Sequence, residues 1–283
     1  MSGILYLVAT PIGNLEDMTF RAVRVLKEAD LIAAEDTRNS IKLLNHFEIR
    51  TPMTSYHEFN KYDKADRLIE KLSEGQTVAL ITDAGTPGIS DPGEVLVEKC
   101  YEAGITVIPV PGACAAVNAL IASGQPTRRF AFEAFLPADK KERRAVIQEL
   151  KNETRTIVLY EAPHRLVKTL KELRENLGDR ELTLCKELTK KHESFARTTL
   201  DEAISAFEDE DNAPRGEYVL VIKGKSEEAV EAEKAAAWEN ISVTEHVEMY
   251  ITGGMTKKDA IKQVALDRNL PKREVYAEVE RIS

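Results

Sequence analysis

The stretch ALITDAGTPGISDPG, residues 79–93, ends an apolar run in a corner of small, turn-making and acidic side chains. Gly85, Gly88 and Gly93 can take positive φ or admit a close neighbour to the main chain. Pro87 and Pro92 fix φ and remove N–H donors. Such a corner is either an ordinary loop between a strand and a helix or a ligand cradle built from backbone. A second corner, PGACAAV, offers Ala113, Cys114, Ala115 and Ala116 at a helix start. Side chains this small let a flat, partly apolar ligand lie against the backbone, or allow tight helix–sheet packing. The commoner phosphate and nucleophile signatures are missing. There is no G-x-x-x-x-G-K-[ST] and no G-x-G-x-x-G after the first apolar run, and GISDPG is not a G-x-S-x-G elbow. Histidines 46, 57, 164, 192 and 246 are dispersed, which argues against a metal site.

The surrounding pattern repeats a simple grammar: a β-branched run, a Gly/Pro corner, then apolar residues at helical spacing. ILYLVA leads into TPIGN, LIAAE into DTRN, TVALIT into DAGTPGISDPG, and TVIPV into PGACAAVNALIASG. Alternating strands and helices predict βαβ units and a mostly parallel sheet. In such sheets ligands bind beyond the carboxyl ends of the strands, where these corners fall. The pattern breaks at SGQPTRR, so residues 1–123 are expected to form one α/β domain and 124–225 a second. The segment KSEEAVEAEKAAAWEN, within 226–240, reads as a linker helix. Residues 241–283 read as three short helices, with Ser242 and Glu245 as a capping box, Thr256 as a cap, and Pro271 in a first turn. Their spacing suits a helix-turn-helix or a plain packing module.

With 43% hydrophobic and 31% charged residues among 283, the chain can bury a sizeable core. Three separated cysteines fit a reducing compartment. The N-terminal run lacks the length and flanking cations of a signal peptide, and no apolar stretch would span a bilayer. A soluble, cytoplasmic protein is expected. The net charge of −9 opposes nucleic-acid binding only on average. From Thr256 to Arg273 six cations face two anions, and Lys140, Lys141, Arg143 and Arg144 form another cationic group.

Taken in order, LVATPIGNLEDMTFRA, EDTR, ITDAGTPGISDPG, VIPVPGACAAVNAL, LYEAPHR and KELTKKHE closely resemble the tetrapyrrole-methylase-like (class III) S-adenosylmethionine-dependent methyltransferases. The resemblance runs from about residue 3 to 224 and continues into the C-terminal helices. Within them it is to the branch that 2′-O-methylates cytidine 1402 of 16S rRNA in the small ribosomal subunit. The resemblance implies a two-domain fold with the cofactor crevice between the domains, S-adenosylmethionine as cofactor, no metal, and a homodimer. It implies cofactor contacts from Pro11 and Ile12; from Ala84, Gly85, Thr86 and Ile89; from Cys114 and Ala115; and from Tyr160, Glu161, Leu188, Tyr218 and Val219. Tetrapyrrole relatives carry Asp where this chain has Thr86. Asp36 and Glu187, at strand ends facing the crevice, are the candidate acceptors of the hydroxyl proton, and each is alternatively a plain structural carboxylate paired with Arg38 or Lys186. Arg38, Arg165, Lys257, Lys258, Lys272 and Arg273 are the expected RNA contacts. The alternatives are a same-fold enzyme for a small molecule or protein, and a non-catalytic RNA-binding protein.

Overall fold

The computed structural model describes residues 2–208, 212–238 and 241–282. Two five-stranded sheets form the core. In the first, β1 (Ile4–Val8), β2 (Leu31–Ala34), β3 (Met53–Ser55), β4 (Val78–Ile81) and β5 (Thr106–Val110) stand in the order β3-β2-β4-β1-β5, every pair parallel. Helices α1 (Phe20–Glu28), α2 (Thr37–His46), α3 (Lys61–Ser73) and α4 (Gly93–Glu102) make the crossovers. Each buries a stripe at helical spacing, as Ala22, Val25 and Leu26 do on α1. The first four strand corners read from the sequence all fall at carboxyl ends of these strands. The short edge strand β3 escaped that reading because three residues carry too little periodicity.

The second sheet joins β6 (Phe130–Phe135), β7 (Thr156–Glu161), β8 (Glu181–Lys186), β9 (Ser194–Thr199) and β10 (Tyr218–Ile222) in the order β6-β7-β10-β8-β9. Only β6 and β7 are parallel; the other pairs are antiparallel. Helices α6 (Lys140–Leu150), α7 (Pro163–Leu177) and α8 (Leu200–Phe207) cover one side. Against the other lies α5 (Ala115–Ala122), whose Ala116, Ala119 and Leu120 pack on Val158, Cys185, Val219 and Val221. This helix follows the last strand of the first sheet, so its packing locks the two sheets into one compact unit, Met1–Leu150 with Arg155–Lys223.

The second compact unit is Lys151–Thr154 with Gly224–Ser283. It holds α9 (Glu227–Ala237), α10 (Val243–Thr252), α11 (Lys257–Asp267) and α12 (Lys272–Ile282). Residues 239–240 of the expected linker and 283 of the expected module lie outside the described residues. The Ser242–Glu245 capping box is present, and Thr256 caps α11 by accepting the Asp259 N–H. Pro271 stands just before α12 and not inside it, its carbonyl accepting the Glu274 and Val275 N–H groups. The last three helices share a small core of Val243, Val247, Ile261, Val264 and Val275. Beside it His246 is fully buried and stacked on Trp238, ring centroids 3.7 Å apart, with Arg268 Nε donating to its Nδ1 at 3.2 Å. Burial, then the Arg268 charge, pulls this imidazole below its ordinary pKa. Among the described residues no helix is long and apolar enough to cross a membrane.

Candidate active site

The first corner is built around Gly85. Thr10 and Gly85 exchange backbone hydrogen bonds at 2.9 and 3.1 Å, tying the end of β1 to the end of β4. Gly85 has φ +83, a conformation that favours glycine, and a Cβ there would also press on the Ile12 methyl at 3.3 Å. The loop then turns on Asp91, whose carboxylate accepts the N–H groups of Gly88, Ile89 and Gly93. At Thr86 the hydroxyl donates to the Ala113 carbonyl at 2.9 Å, which joins the β4 corner to the β5 corner.

From the second sheet, Tyr160 accepts the Ala116 N–H at 3.1 Å on its phenolic oxygen, at the start of α5. Burial pushes this phenol up to about 12, so it stays a neutral hydrogen-bonding wall. Next to it the buried Glu161 carboxylate accepts from its neighbour's N–H, Ala162, at 2.9 Å and from the Thr169 hydroxyl. Thr169 in turn accepts from Arg143 Nη2 at 2.7 Å, and Arg143 Nε meets Glu172 at 2.5 Å. Arg143, read from the sequence as part of a surface cationic group, is therefore buried and structural, while Lys140, Lys141 and Arg144 remain exposed.

These pieces line a cleft of about 430 Å³. Ile12, Ala84, Gly85, Thr86, Ile89, Cys114, Ala115, Tyr160, Glu161, Tyr218 and Val219 surround it, all among the residues expected to hold the cofactor. Two others of that set stand elsewhere. Pro11 lines an adjoining cavity, and Leu188 is buried behind the wall among Ala119, Cys185 and Val219. Phe135, Ala162, Pro163 and Glu217 line the cavity without having been expected there. Phe135 arrives through a register shift in β6 between Phe132 and Phe135, where Ala134 takes φ +49. Such a bulge re-aims the side chains that follow it, and the ring settles 5.5 Å from that of Tyr160. The aromatic run FAFEAF was the available signal; the bulge was not legible.

Residues 4–204 match the family model described as Tetrapyrrole (Corrin/Porphyrin) Methylases. The chain belongs to the tetrapyrrole methylase family. It is 54% identical, over 97% of its length and 93% of the relative's, to ribosomal RNA small subunit methyltransferase I of Halalkalibacterium halodurans. Against the protein of the same name in Bacillus subtilis the figures are 52%, 97% and 93%. Among solved structures it resembles uroporphyrin-III-C-methyltransferase from Thermus thermophilus, with a TM-score of 0.55 and 24% identity over 77% of this chain and 94% of that one. It also resembles diphthine synthase, with a TM-score of 0.59 and 14% identity over 78% and 90%. At those identities the likeness is one of fold.

In this tetrapyrrole methylase fold the two carboxylates expected to take a proton are both engaged. Asp36 caps α2, and Arg38 holds both its oxygens, Nε to Oδ1 at 3.1 Å and Nη2 to Oδ2 at 2.8 Å. That guanidinium pulls the carboxyl down to about 2. Glu187 takes φ +50 just past β8, and its Oε1 accepts the Glu217 N–H at 2.9 Å and the Lys190 ammonium at 3.0 Å. These bonds, the Glu217 amide first, hold it below the usual carboxylate range. A Cβ on Gly216 would strike Glu187 at 2.5 Å, so glycine there is the condition for the clamp. Arg165 turns inward, donating to the Leu136 carbonyl at 2.7 Å with its Nε 3.4 Å from Glu161. Lys257 and Lys258 open α11 and Lys272 and Arg273 open α12, all four exposed. Cations in a first helical turn oppose the helix dipole, so these four gain no stabilisation from it. No group of three or more potential metal ligands exists among the described residues.

Proposed function

We propose that this chain transfers the methyl group of S-adenosylmethionine to the 2′-oxygen of cytidine 1402 in 16S rRNA of the small ribosomal subunit. The observation that carries the reading is the cavity floored by Ala84, Gly85 and Ala115 and walled by Phe135, Tyr160 and Tyr218. Small residues admit an adenosyl group against the backbone, the rings supply a flat apolar face, and Gly85 keeps clear the space that a Cβ would fill. The names carried by relatives at half identity support ribosomal RNA of the small subunit as substrate. S-adenosylmethionine supplies an electrophilic methyl on a sulfonium leaving group. What remains for the protein is to hold donor and hydroxyl in line and exclude water.

In this reading residues 1–123 and 124–225 hold the donor, with Pro11 and Leu188 backing its walls, and 226–240 links them to an RNA-contacting module at 241–283. Asp36 and Glu187 position the loops around the transfer or take its proton. Arg38 with the helix starts at Lys257, Lys258, Lys272 and Arg273 contributes cations toward RNA phosphates, while Arg165, turned onto the Leu136 carbonyl and Glu161, supports the donor cavity instead. The same reading has the protein act in the cytoplasm as a homodimer.

The test is methyl transfer from tritiated S-adenosylmethionine to small subunits from cells lacking this protein, with the label mapped by nuclease digestion. Label on the ribose of that cytidine is the expected outcome. Unlabelled RNA, with S-adenosylhomocysteine still bound in calorimetry, removes the substrate assignment and leaves the methyltransferase.

A further inference from the structure

A second cavity, of about 360 Å³, adjoins the first and shares two walls with it, Ile12 and Ala84. Its polar lining comes from the end of β4 and from one face of α2, where Asn39 and Lys42 stand three residues apart. Most of the hydroxyls here are spent. Thr10 donates to the Thr82 carbonyl at 3.4 Å, and Thr82 to that of Ala84 at 3.3 Å. Asn39, Lys42 and one oxygen of Asp83 are different: among the described residues no side-chain hydrogen bond or ion pair uses them. Asp83 is held all the same, because its Oδ1 accepts the Asp36 N–H at 3.1 Å while its own N–H reaches Glu35 at 3.4 Å. Oδ2 is left open beside Ala84, the shared wall.

We infer that this second cavity receives the target ribonucleotide and that Asp83, rather than Asp36 or Glu187, takes the proton of its 2′-hydroxyl. The inference rests on the rRNA reading above and adds the acceptor's place to it. In-line displacement needs the attacking oxygen on the far side of the methyl carbon from sulfur, hence in a space that abuts the donor cavity. This cavity is such a space: it opens to solvent, has Asn39, Lys42 and Asp83 exposed at it, and has a volume on the scale of one nucleotide. Its open groups match the chemistry: an amide for a base edge, an ammonium for a backbone phosphate, and a carboxylate oxygen for a hydroxyl. Asp36 has both oxygens on Arg38, and Glu187 is bound to Lys190 and the Glu217 amide. Asp83 Oδ2 has no such competitor. In the step, the 2′-oxygen forms its bond to the methyl carbon as the carbon–sulfur bond breaks and the electron pair stays on sulfur. The hydroxyl proton passes to Asp83 Oδ2 and then to water.

The experiment uses the full chain, unmodified small subunits and tritiated S-adenosylmethionine, with D83N, D83E, N39A and K42A beside the wild type. S-adenosylhomocysteine affinity and thermal midpoint are measured for each, and subunit binding is measured without cofactor. D83N is expected to lose roughly 10²–10⁴-fold in kcat with KM and S-adenosylhomocysteine affinity near wild type, and D83E to recover part of the loss. N39A and K42A are expected to weaken subunit binding, K42A with a salt slope shallower by about one. D83N turning over at the wild-type rate overturns the inference, as does a fall in cofactor affinity that parallels its activity. If D83N does not fold, unchanged subunit binding by both N39A and K42A overturns it instead. Unlabelled RNA with the wild type overturns the rRNA reading and this inference together, an outcome distinct from failure of the variants alone.

Discussion

The two sheets build one cavity by different means. The all-parallel sheet contributes backbone: the ends of β1, β4 and β5 bring Ile12, Ala84, Gly85 and Ala115 to the ligand space through turns and small residues. The mostly antiparallel sheet contributes side chains, with Tyr160, Glu161, Tyr218 and Val219 standing on the adjacent strands β7 and β10 in register. One half depends on φ angles and on what is not there, the other on rings and a buried carboxylate. Substitutions should therefore fail differently in the two halves.

The largest effect is expected where conformation leaves no choice. Gly85→Val puts a β-branched residue at φ +83 against Ile12. Strain of about 1–3 kcal/mol, relieved by the loop moving out of the cavity wall, corresponds to a loss of roughly fivefold to 150-fold in S-adenosylhomocysteine affinity, read by calorimetry. A variant that binds normally would mean the first sheet does not work through backbone. On the other side, Tyr160→Phe keeps the ring and removes the oxygen that accepts the Ala116 N–H. At about 1 kcal/mol for such a bond, affinity should fall roughly fivefold and the thermal midpoint by a few degrees. Tyr160→Ala should be far worse, because the wall itself goes. Equal losses for Phe and Ala would place the function of Tyr160 in its hydroxyl and erase the contrast.

The smallest effect is electrostatic and lies at the surface of each half. Asp36 with Arg38 at the first sheet, and Glu181 with Lys223 and Arg197 at the second, are each held down to about 2. A depressed carboxylate stabilises the fold above its unfolded value, near 4, and loses that contribution as pH falls through the folded value. Both contributions should vanish between about pH 4 and pH 2, and carboxyl-carbon NMR titration should show the two depressed midpoints. D36N and E181Q each remove one. Midpoints near 4 for either would show that its partners are not engaged in solution.

The same contrast explains what was legible in the sequence. The parallel half announces itself, because each βα corner needs glycine, proline or a cap within a few residues of a strand. ITDAGTPGISDPG and PGACAAV carry those needs in the open. The antiparallel half depends on pairing between distant segments: β10 lies between β7 and β8, and nothing local to Tyr218–Ile222 says so. The edge strand β9 went unread for that reason, its SFARTT pattern being mostly exposed. Phe135 reaches the cavity only through a bulge, and Glu217 only because Gly216 lets Glu187 close on it. The engagement of Asp36 by Arg38 follows from a hydrogen-bonded fork two residues away, which AEDTR permits without requiring.

Trp238, stacked on His246, is the only tryptophan in the chain. Emission excited selectively at the indole band therefore comes from the C-terminal unit alone, with no contribution from either sheet. Because the indole is stacked on the His246 ring, that emission is an internal gauge of whether this stack in the small helical unit is kept. The molecule carries its own optical label on the very unit whose helix starts present Lys257, Lys258, Lys272 and Arg273.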